Sequence, residues 1–162
     1  MTKRCWRRGR ELCRSSDDVR MTKMTDEEVW SFLDSDPPRP AVLATTRRDG
    51  RPHAAPVWYA VDGRAIVFNT GAATVKGCNI ARDPRVVLVV DDDQPPYTFV
   101  TLEGTATVSD DLVEVRRWAT VIGGRYMGSK QAETYGKRNG VPGELLVRVE
   151  PSKIIAVKNL AD

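Results

Sequence analysis

The sequence contains few of the residues that build metal centres and disulfide frameworks. Among its 162 residues there is one histidine, His53, and there are three cysteines, Cys5, Cys13 and Cys78, without any Cys-x-x-Cys spacing. An odd number of scattered cysteines does not indicate a disulfide framework, and a single histidine leaves too few ligands for an ordinary zinc site. We therefore expect no metal site.

The chain also lacks an apolar run close to the roughly 20 residues that a membrane span needs. Residues 1–20 include an Arg-Arg pair, but no apolar segment follows it, so the stretch is not typical of a secretory or twin-arginine signal. We interpret residues 1–22 as a disordered basic leader and residues 23–162 as one domain, since the length suits a single core. The expected protein is soluble and cytoplasmic.

The net positive charge of the chain comes from the leader. Residues 1–20 hold seven of the 25 Lys and Arg residues but three of the 22 Asp and Glu residues. The rest of the chain therefore has a formal charge of −1, although the total is +3. This balance gives no electrostatic indication of nucleic-acid binding, and we expect neither nucleic acid nor a membrane as a partner.

Helix caps and hairpin turns follow one another from residue 25 onwards. Thr25 and Glu28 form a capping-box pattern that predicts a helix over 25–36, stopped by Pro37-Pro38. Asp-Gly turns separate three β-rich runs within residues 41–69, which indicates an antiparallel meander. The next predicted elements are a helix at 73–82, a strand at 85–90 that is apolar on both faces, and a long alternating strand at 97–108. A helix at 109–127 follows, capped by Ser109 and weakened at its end by Gly123-Gly124. The last predicted elements are a short helix near 129–140 and two strands divided by Pro151.

Short strands joined mostly by hairpins decide the fold class. Six or seven such strands with a few helices between them favour a closed antiparallel barrel over a doubly wound parallel sheet. The chain shows neither βαβ alternation nor a Gly-x-Gly-x-x-Gly motif, so a dinucleotide-binding fold is not expected. The sequence thus predicts a mainly β domain with flanking helices.

The candidate binding segment is VFNTGAATVKGCNIAR, residues 67–82, where a strand, a turn and a short helix follow one another. The free N–H groups and partial positive charge of a helix start attract anions, phosphate above all. Gly71 permits a tight exit from the strand, Thr74 can cap the helix, and Lys76 adds a full charge. The pattern therefore predicts an anion cradle, with a capped crossover helix and a solvated Lys76 as the alternative.

The order of motifs in and around this segment resembles the pyridoxamine 5'-phosphate oxidase-like superfamily of flavin and deazaflavin split barrels. The matching motifs are Gly50-Arg51-Pro52, Phe68-Asn69-Thr70, Thr74-Val75-Lys76, Asp83-Pro84 and, within YTFVTLEGTATV, Glu103-Gly104. The likeness covers about residues 26–157 and implies a six- to seven-stranded antiparallel split β-barrel of the FMN-binding type.

Departures from the family pattern direct the functional prediction. Ala55 and Ala60 stand where the true oxidases have basic ligands, and a C-terminal Trp and Arg segment is missing, so oxidase activity on pyridoxamine phosphate is not expected. The rest of the chain is similar to the branch that uses the deazaflavin coenzyme F420. That resemblance implies a reductase that transfers a hydride between F420 and a small conjugated substrate, in a homodimer with two shared sites.

Two alternatives remain open at the level of sequence. One is an FMN-dependent flavin reductase or oxidase on the same barrel, and the other is a cofactor-binding protein without turnover. The coenzyme-contacting residues that the resemblance implies are Arg51, Pro56, Val57, Trp58, Thr70, Gly71, Thr74, Val75, Lys76, Asn79, Tyr97 and Phe99, with Arg125 as a further candidate for lining the cleft. No catalytic residue is identified, because His53 near a turn is more often a surface residue.

Neighbouring aromatic residues leave one further choice open. Trp58 and Tyr59 alternate along a strand, so one should pack in the core while the other meets the cofactor or a partner. Glu103 is expected to pair with a basic group, and Asp91-Asp92-Asp93 to form a solvated loop, since their spacing does not match a calcium site.

Overall fold

Eight strands and four α-helices lie along residues 22–161, the part of the chain that the computed structural model describes. In chain order they are β1 (Thr22–Lys23), α1 (Asp26–Leu33), β2 (Ala41–Thr46), β3 (Pro52–Val57), β4 (Ala60–Asp62), β5 (Ala65–Gly71), α2 (Val75–Arg82), β6 (Arg85–Asp92), β7 (Thr98–Ser109), α3 (Leu112–Met127), α4 (Ala132–Asn139) and β8 (Glu144–Lys158), with a 3-10 turn at Ser129–Gln131. The predicted leader, apart from Thr22, and Cys5 and Cys13 lie outside the described residues.

All strand pairs are antiparallel, and the sheet order is β3-β2-β6-β7-β8-β5-β4, with β1 added to β8. The predicted mainly β split barrel with flanking helices is confirmed. The strand count is eight rather than six or seven, because Ala60–Asp62 forms a strand of its own and Thr22–Lys23 adds a short one.

The predicted meander over 41–69 is wrong at its centre. β3 pairs with β2, whereas β4 pairs with β5 at the opposite end of the sheet order. In a flat sheet six strand spacings would separate β3 from β4 by about 29 Å. The link through Trp58 and Tyr59 spans about 11 Å at most, so the sheet must curl until its ends approach each other. This closure places Trp58 at the seam of the barrel.

The core fills the inside of the curled sheet. Its largest fully buried side chains include Phe68, Leu88 and Leu102, and α1 contributes Leu33. On β6 the alternate residues Val86, Leu88 and Val90 are buried, while Val87 and Val89 are half-buried on the outer side. The strand at 85–90 is therefore confirmed, but it is buried on one face only.

The helices differ from prediction mainly at their ends. The Thr25 capping box is confirmed, with the Thr25 N–H donating to Glu28 Oε2 at 2.8 Å, although α1 ends at Leu33. Asp111 rather than Ser109 caps α3, since its carboxylate accepts the Val113 N–H at 2.9 Å and Ser109 still belongs to β7. None of the helices within residues 22–161 is long and apolar enough to cross a membrane.

Pro151 bends a strand instead of dividing two. β8 runs unbroken from Glu144 to Lys158, and Pro151 lies opposite Gly104 next to a shift in register between Glu103 and Gly104. The irregularity accommodates the missing proline N–H, as is usual for proline within a sheet. The two predicted C-terminal strands are thus a single strand.

Candidate functional site

The turn between β5 and α2 is held by hydroxyl groups. Thr74 caps α2, because its Oγ1 accepts the Gly77 N–H at 3.1 Å and donates to the Gly71 carbonyl at 2.7 Å. The Thr70 hydroxyl lies 3.1 Å from that of Thr74. A Cβ at Gly77 would stand 2.4 Å from the Gly71 carbonyl oxygen, so only glycine lets this turn fold so closely against the helix. The predicted crossover helix and its cap are confirmed.

The start of α2 leaves donors for a ligand. Within residues 22–161 no group accepts a hydrogen bond from the Val75 or Lys76 N–H, whereas Thr74 satisfies the next N–H, of Gly77. The Lys76 side chain is partly buried and forms no ion pair with a described residue. Two free amides and one lysine therefore stand in the same helix turn, and both kinds of group attract an anion.

Lys76 lines a cleft of about 220 Å³ between the end of β3, strand β5 and the helices α3 and α4. We call this the Lys76 cleft. Its lining residues are Pro56, Val57, Trp58, Asn69, Lys76, Ala119, Ile122, Gly123, Tyr135 and Asn139. Lys76 is the one charged residue among them, while most of the others are apolar or aromatic. The cleft therefore suits a flat, anionic ligand better than a cationic one.

An aromatic cluster forms one wall of the Lys76 cleft. The Trp58 ring stacks on Tyr126 with 4.9 Å between centroids and 2° between planes, and Tyr135 lies 5.8 Å away at 44°. The Tyr126 hydroxyl donates to the Arg39 carbonyl at 3.0 Å and accepts the Tyr59 N–H at 3.4 Å. Burial raises the pKa of Tyr126, so this hydroxyl stays protonated and keeps both contacts.

The choice between Trp58 and Tyr59 is settled by their burial. Tyr59 is fully buried, and its hydroxyl donates to the Leu33 carbonyl at 2.8 Å. Trp58 is 37% exposed and faces the Lys76 cleft. Tyr59 is thus the core residue of the pair, because its hydroxyl finds an acceptor inside the protein.

The structure brings together some of the residues assigned to the coenzyme. Pro56, Val57, Trp58 and Lys76 line the Lys76 cleft. The residues that form the turn at the start of α2 are Thr70, Gly71, Thr74 and Val75. These eight positions form one continuous region, although their contacts with a coenzyme stay predictions.

Four other assigned residues lie elsewhere. Asn79 is 5% exposed and donates its amide to Thr45 Oγ1 at 3.0 Å, so it connects α2 to β2. Tyr97 and Phe99 lie at the start of β7, away from the cleft lining. Arg51 lies in the β2–β3 turn and pairs with Asp49 at 2.7 Å, also away from the cleft. In this chain taken alone they do not converge on Lys76.

Arg125 does not line the cleft either. Its guanidinium group donates to the Leu33 carbonyl at 2.7 Å and pairs with Asp34, at the C-terminal end of α1. A positive charge is favourable there because the free carbonyls of a helix end carry partial negative charge. The two terminal guanidinium nitrogens of Arg125 hold the end of α1, so Arg125 does not line the Lys76 cleft in this chain, and its contact with a coenzyme stays a prediction.

The helical wall of the cleft was not identified from sequence. Ala119, Ile122 and Gly123 come from α3, and Tyr135 and Asn139 come from α4. Helical spacing indicates which residues share a face but not which element that face meets. The Gly123-Gly124 pair was the one available signal, since paired glycines allow close approach of another segment.

Glu103, Asp92 and His53, three further titratable residues, have structural partners. Lys153 Nζ lies 3.0 Å from Glu103 Oε1, which confirms the pairing expected for Glu103. Asp92 pairs with Arg39 at 2.6 Å. The His53 Nδ1 atom lies 3.5 Å from Thr45 Oγ1, and the residue is half-buried. Among residues 22–161 no group of three His, Cys, Asp or Glu side chains is placed to hold a metal ion.

An antiparallel barrel with this strand order and a cleft beside the start of α2 has the split-barrel architecture. The sequence pattern of the pyridoxamine 5'-phosphate oxidase family matches residues 25–158. The chain belongs to this family of split-barrel oxidoreductases.

Solved structures share the fold over most of the chain. A conserved hypothetical protein, Rv2991 from Mycobacterium tuberculosis, is 25% identical with a TM-score of 0.74, and the match covers 90% of this chain and 91% of that one. A protein described as an F420 reductase is 23% identical with a TM-score of 0.60, covering 76% and 94%. A FAD-binding protein from Mesorhizobium loti is 17% identical with a TM-score of 0.62, covering 85% and 96%.

Proposed function

We propose that the chain is an F420-dependent reductase that transfers a hydride between the deazaflavin coenzyme and a small conjugated substrate. One observation supports this most directly. The Lys76 side chain and the free N–H groups of Val75 and Lys76 occur in one helix turn, beside a cleft whose lining has no other charged residue. Phosphate needs such donors, and the apolar and aromatic lining suits a conjugated ring. The fold likeness to an F420 reductase agrees with this proposal.

The residues present fit the proposed coenzyme, with Lys76 as the single cation. Ala55 is half-buried and Ala60 is 4% exposed, so neither position offers a second charge to the phosphate. This departs from the oxidases that the family is named after. The absence of a second positive charge agrees with the use of F420 rather than with oxidation of pyridoxamine phosphate.

The proposed mechanism gives the protein the tasks of binding and orientation. When bound, the deazaflavin supplies the hydride, so the site needs no nucleophile of its own. Lys76 and the amides of Val75 and Lys76 would bind the phosphate, while the backbone of Pro56 to Trp58 would lie along the ring. The stacked rings of Trp58 and Tyr126 form a rigid wall that keeps water from that side of the cleft.

We also propose a homodimer with two shared sites. The outer side of the sheet presents an apolar patch, the outer face, formed by Val42, Ala44, Val87, Val89, Thr101 and Ile155, which are neighbours in register. Val42 and Ile155 are 42% and 41% exposed. Pro56 pairs with Val42, so the outer face continues into a wall of the Lys76 cleft. A second copy that covered this face would therefore stand beside the cleft.

Titration with F420 and with FMN tests the coenzyme proposal. We expect the wild-type protein to bind F420, with quenching of coenzyme fluorescence, and Lys76→Ala to weaken binding by about 1–3 kcal/mol, the contribution of a hydrogen bond to a charged group. Lys153→Ala is the matched control, because it removes a lysine that pairs with Glu103 outside the cleft.

The outcomes separate the functional alternatives. Unchanged affinity in Lys76→Ala would contradict the anion cradle. Binding of FMN with no binding of F420 would instead favour an FMN-dependent enzyme on the same barrel. Tight binding of F420 without hydride transfer to any conjugated acceptor would indicate a cofactor-binding protein.

A further inference from the structure

A buried hydrogen-bond acceptor without a donor belongs to a residue of the Lys76 cleft. Within residues 22–161 four buried side-chain atoms have no hydrogen-bond partner: Trp30 Nε1, Asn69 Oδ1, Trp118 Nε1 and Arg125 Nε. Asn69 Oδ1 is the one acceptor among them, and Asn69 is the one of these four residues that lines the Lys76 cleft. The unpaired acceptor is therefore part of the candidate site.

The orientation of the Asn69 amide is fixed by α3. Its Nδ2 group donates to the Val115 carbonyl at 3.2 Å. Turning the amide over would bring Oδ1 against that carbonyl, and two acceptors that face each other repel. Oδ1 is thus the atom that is left without a partner. A buried acceptor without a donor costs free energy, and this cost is recovered when a ligand supplies an N–H or O–H group.

The position of Asn69 associates it with the hydride acceptor rather than with the coenzyme. In the proposed mechanism the coenzyme ring lies along the backbone of Pro56 to Trp58. Hydride transfer requires the acceptor to lie about 3–3.5 Å from the reacting atom, on the face of the ring that is turned away from that backbone. The other lining residues come from α2, α3, α4 and β5, and Asn69 is the one from β5. An acceptor bound between the ring and these elements would therefore meet Asn69.

Two polar side chains of α4 line the same cleft. Tyr135 and Asn139 carry a hydroxyl and an amide, each of which can donate to a carbonyl oxygen, whereas Asn69 Oδ1 can only accept. Unsaturated amides and lactams match both kinds of group, because they carry a carbonyl with an N–H group beside it. An ester or lactone of the same shape has no donor and would leave Oδ1 unpaired.

We propose that Asn69 selects unsaturated amides and lactams as hydride acceptors, through a hydrogen bond from their N–H group to Oδ1. The inference rests on the proposed function, because it takes the coenzyme ring to lie along Pro56 to Trp58. In the reaction the acceptor gains a hydride at one carbon of its C=C bond and a proton from water at the other, while the reduced coenzyme loses the hydride. Asn69 binds and orients the acceptor and exchanges no proton with it.

The wild-type test compares two ligands that differ in the N–H group. The probes are δ-valerolactam and δ-valerolactone, saturated rings of the same size that bind without being reduced. Their dissociation constants are measured by NMR titration of the protein saturated with oxidised F420. We expect the lactam to bind about three- to tenfold more tightly, the effect of one hydrogen bond. Equal affinities would overturn the inference without the need for a variant.

Two substitutions at Asn69 separate its acceptor from its link to α3. Asn69→Leu and Asn69→Asp both lose the donor to Val115, but aspartate keeps an acceptor at the same place. Asn69→Asp is therefore the matched control and should retain the preference for the lactam, while Asn69→Leu should lose it. Each preference is a ratio measured on one variant, so changes in stability or coenzyme affinity cancel. A preference lost by both variants, or retained by both, would contradict the role of Oδ1.

Turnover gives an independent readout. The α,β-unsaturated forms of the same two rings differ in intrinsic reactivity, but this difference is the same for every variant. The ratio of kcat/KM for the lactam over that for the lactone should fall about three- to tenfold from wild type to Asn69→Leu. It should stay near the wild-type value in Asn69→Asp. An unchanged ratio in Asn69→Leu would count against selection by Asn69.

Failure of the proposed function can be told apart from failure at Asn69. If F420 binds and the lactam is not preferred, the coenzyme proposal stands and the inference fails. If neither F420 nor FMN binds, the proposed function fails, and the two saturated probes are titrated into the full chain alone. Preferential binding of δ-valerolactam that Asn69→Leu abolishes would then support the amide site, and equal binding of the two probes would overturn it.

Discussion

At the scale of single residues, the surroundings of a group decide what it can do. Lys76 is the one charged residue in the lining of its cleft, and the free amides of Val75 and Lys76 belong to the same helix turn. Arg125 has a more delocalised charge, yet its two terminal guanidinium nitrogens are taken up by Leu33 and Asp34. The same type of charge is therefore left without an ion-pair partner among residues 22–161 at one position and holds a helix end at the other.

Tyr59 makes a residue-scale prediction about pH. Burial raises the pKa of its hydroxyl above the ordinary value of 10.0. Above pH 10 the unfolded chain therefore releases this proton while the folded protein retains it, so stability should fall as pH rises. In Tyr59→Phe we expect a smaller alkaline loss of stability, measured by urea unfolding between pH 8 and about pH 11.

At neutral pH the same substitution should cost about 1 kcal/mol. The loss is modest because Arg125 continues to donate to the Leu33 carbonyl at 2.7 Å after the tyrosine hydroxyl is removed. Tyr97→Phe, at a residue that is 41% exposed, is the control and should change neither the stability nor its pH dependence. If the free energy of unfolding fell equally steeply with rising pH in the wild type and in Tyr59→Phe, the role given to the buried Tyr59 hydroxyl would be refuted.

At the scale of secondary-structure elements, the helical pair α3–α4 depends on glycine. A Cβ at Gly123 would lie 2.3 Å from the Tyr135 Cβ, and a Cβ at Gly136 would lie 2.0 Å from the Thr120 hydroxyl oxygen. The two helices thus approach each other more closely than side chains would permit. This approach places Tyr135 beside Trp58, where it lines the Lys76 cleft.

Gly123→Ala should therefore destabilise the protein by about 1–3 kcal/mol, as overpacking of a close contact does. Gly124→Ala is a matched control in the same helix turn, because its Cβ would lie 3.2 Å from the Ala132 Cβ, a tight contact that a shift of a few tenths of an ångström relieves, and alanine favours a helix. Urea unfolding of both variants measures the difference. Equal stabilities would show that the close approach at Gly123 is not required.

At the scale of the whole molecule, the closed barrel brings distant segments to one place. The link through Trp58 and Tyr59 joins opposite ends of the strand order. At this seam β3, β5, α2, α3 and α4 all contribute to the Lys76 cleft. The apolar outer face lies beside it, so the proposed dimer contact and the proposed ligand site would share an edge of the molecule.

The outer face provides the whole-molecule prediction. A charge at Val89, which lies in register with Val42 and Thr101 on the outer face, would have to be buried without a partner in a dimer. We expect wild-type protein to run as a dimer in light scattering and Val89→Glu to run as a monomer with weaker coenzyme binding. Val113→Glu, on α3 where the residue is 75% exposed, should remain dimeric. A monomeric wild type would contradict the homodimer.

Much of the fold was predictable because its signals are local. The Thr25 capping box, the Thr74 cap and the alternation along β7 each depend on residues a few positions apart. The position of Lys76 at the start of a helix followed from the same kind of pattern. The chain could be assigned to its fold class on this basis before any contact was known.

What the sequence by itself determined is most of the helices and strands and the capped start of α2, since caps, turns and alternation act between neighbours in the chain. Only the tertiary structure decided the strand order, the helical wall of the Lys76 cleft and the contact of Arg125 with the end of α1. The physical reason is that these features depend on contacts across long stretches of chain, such as the 92 positions between Leu33 and Arg125. Such contacts form only when the sheet closes and buries its core.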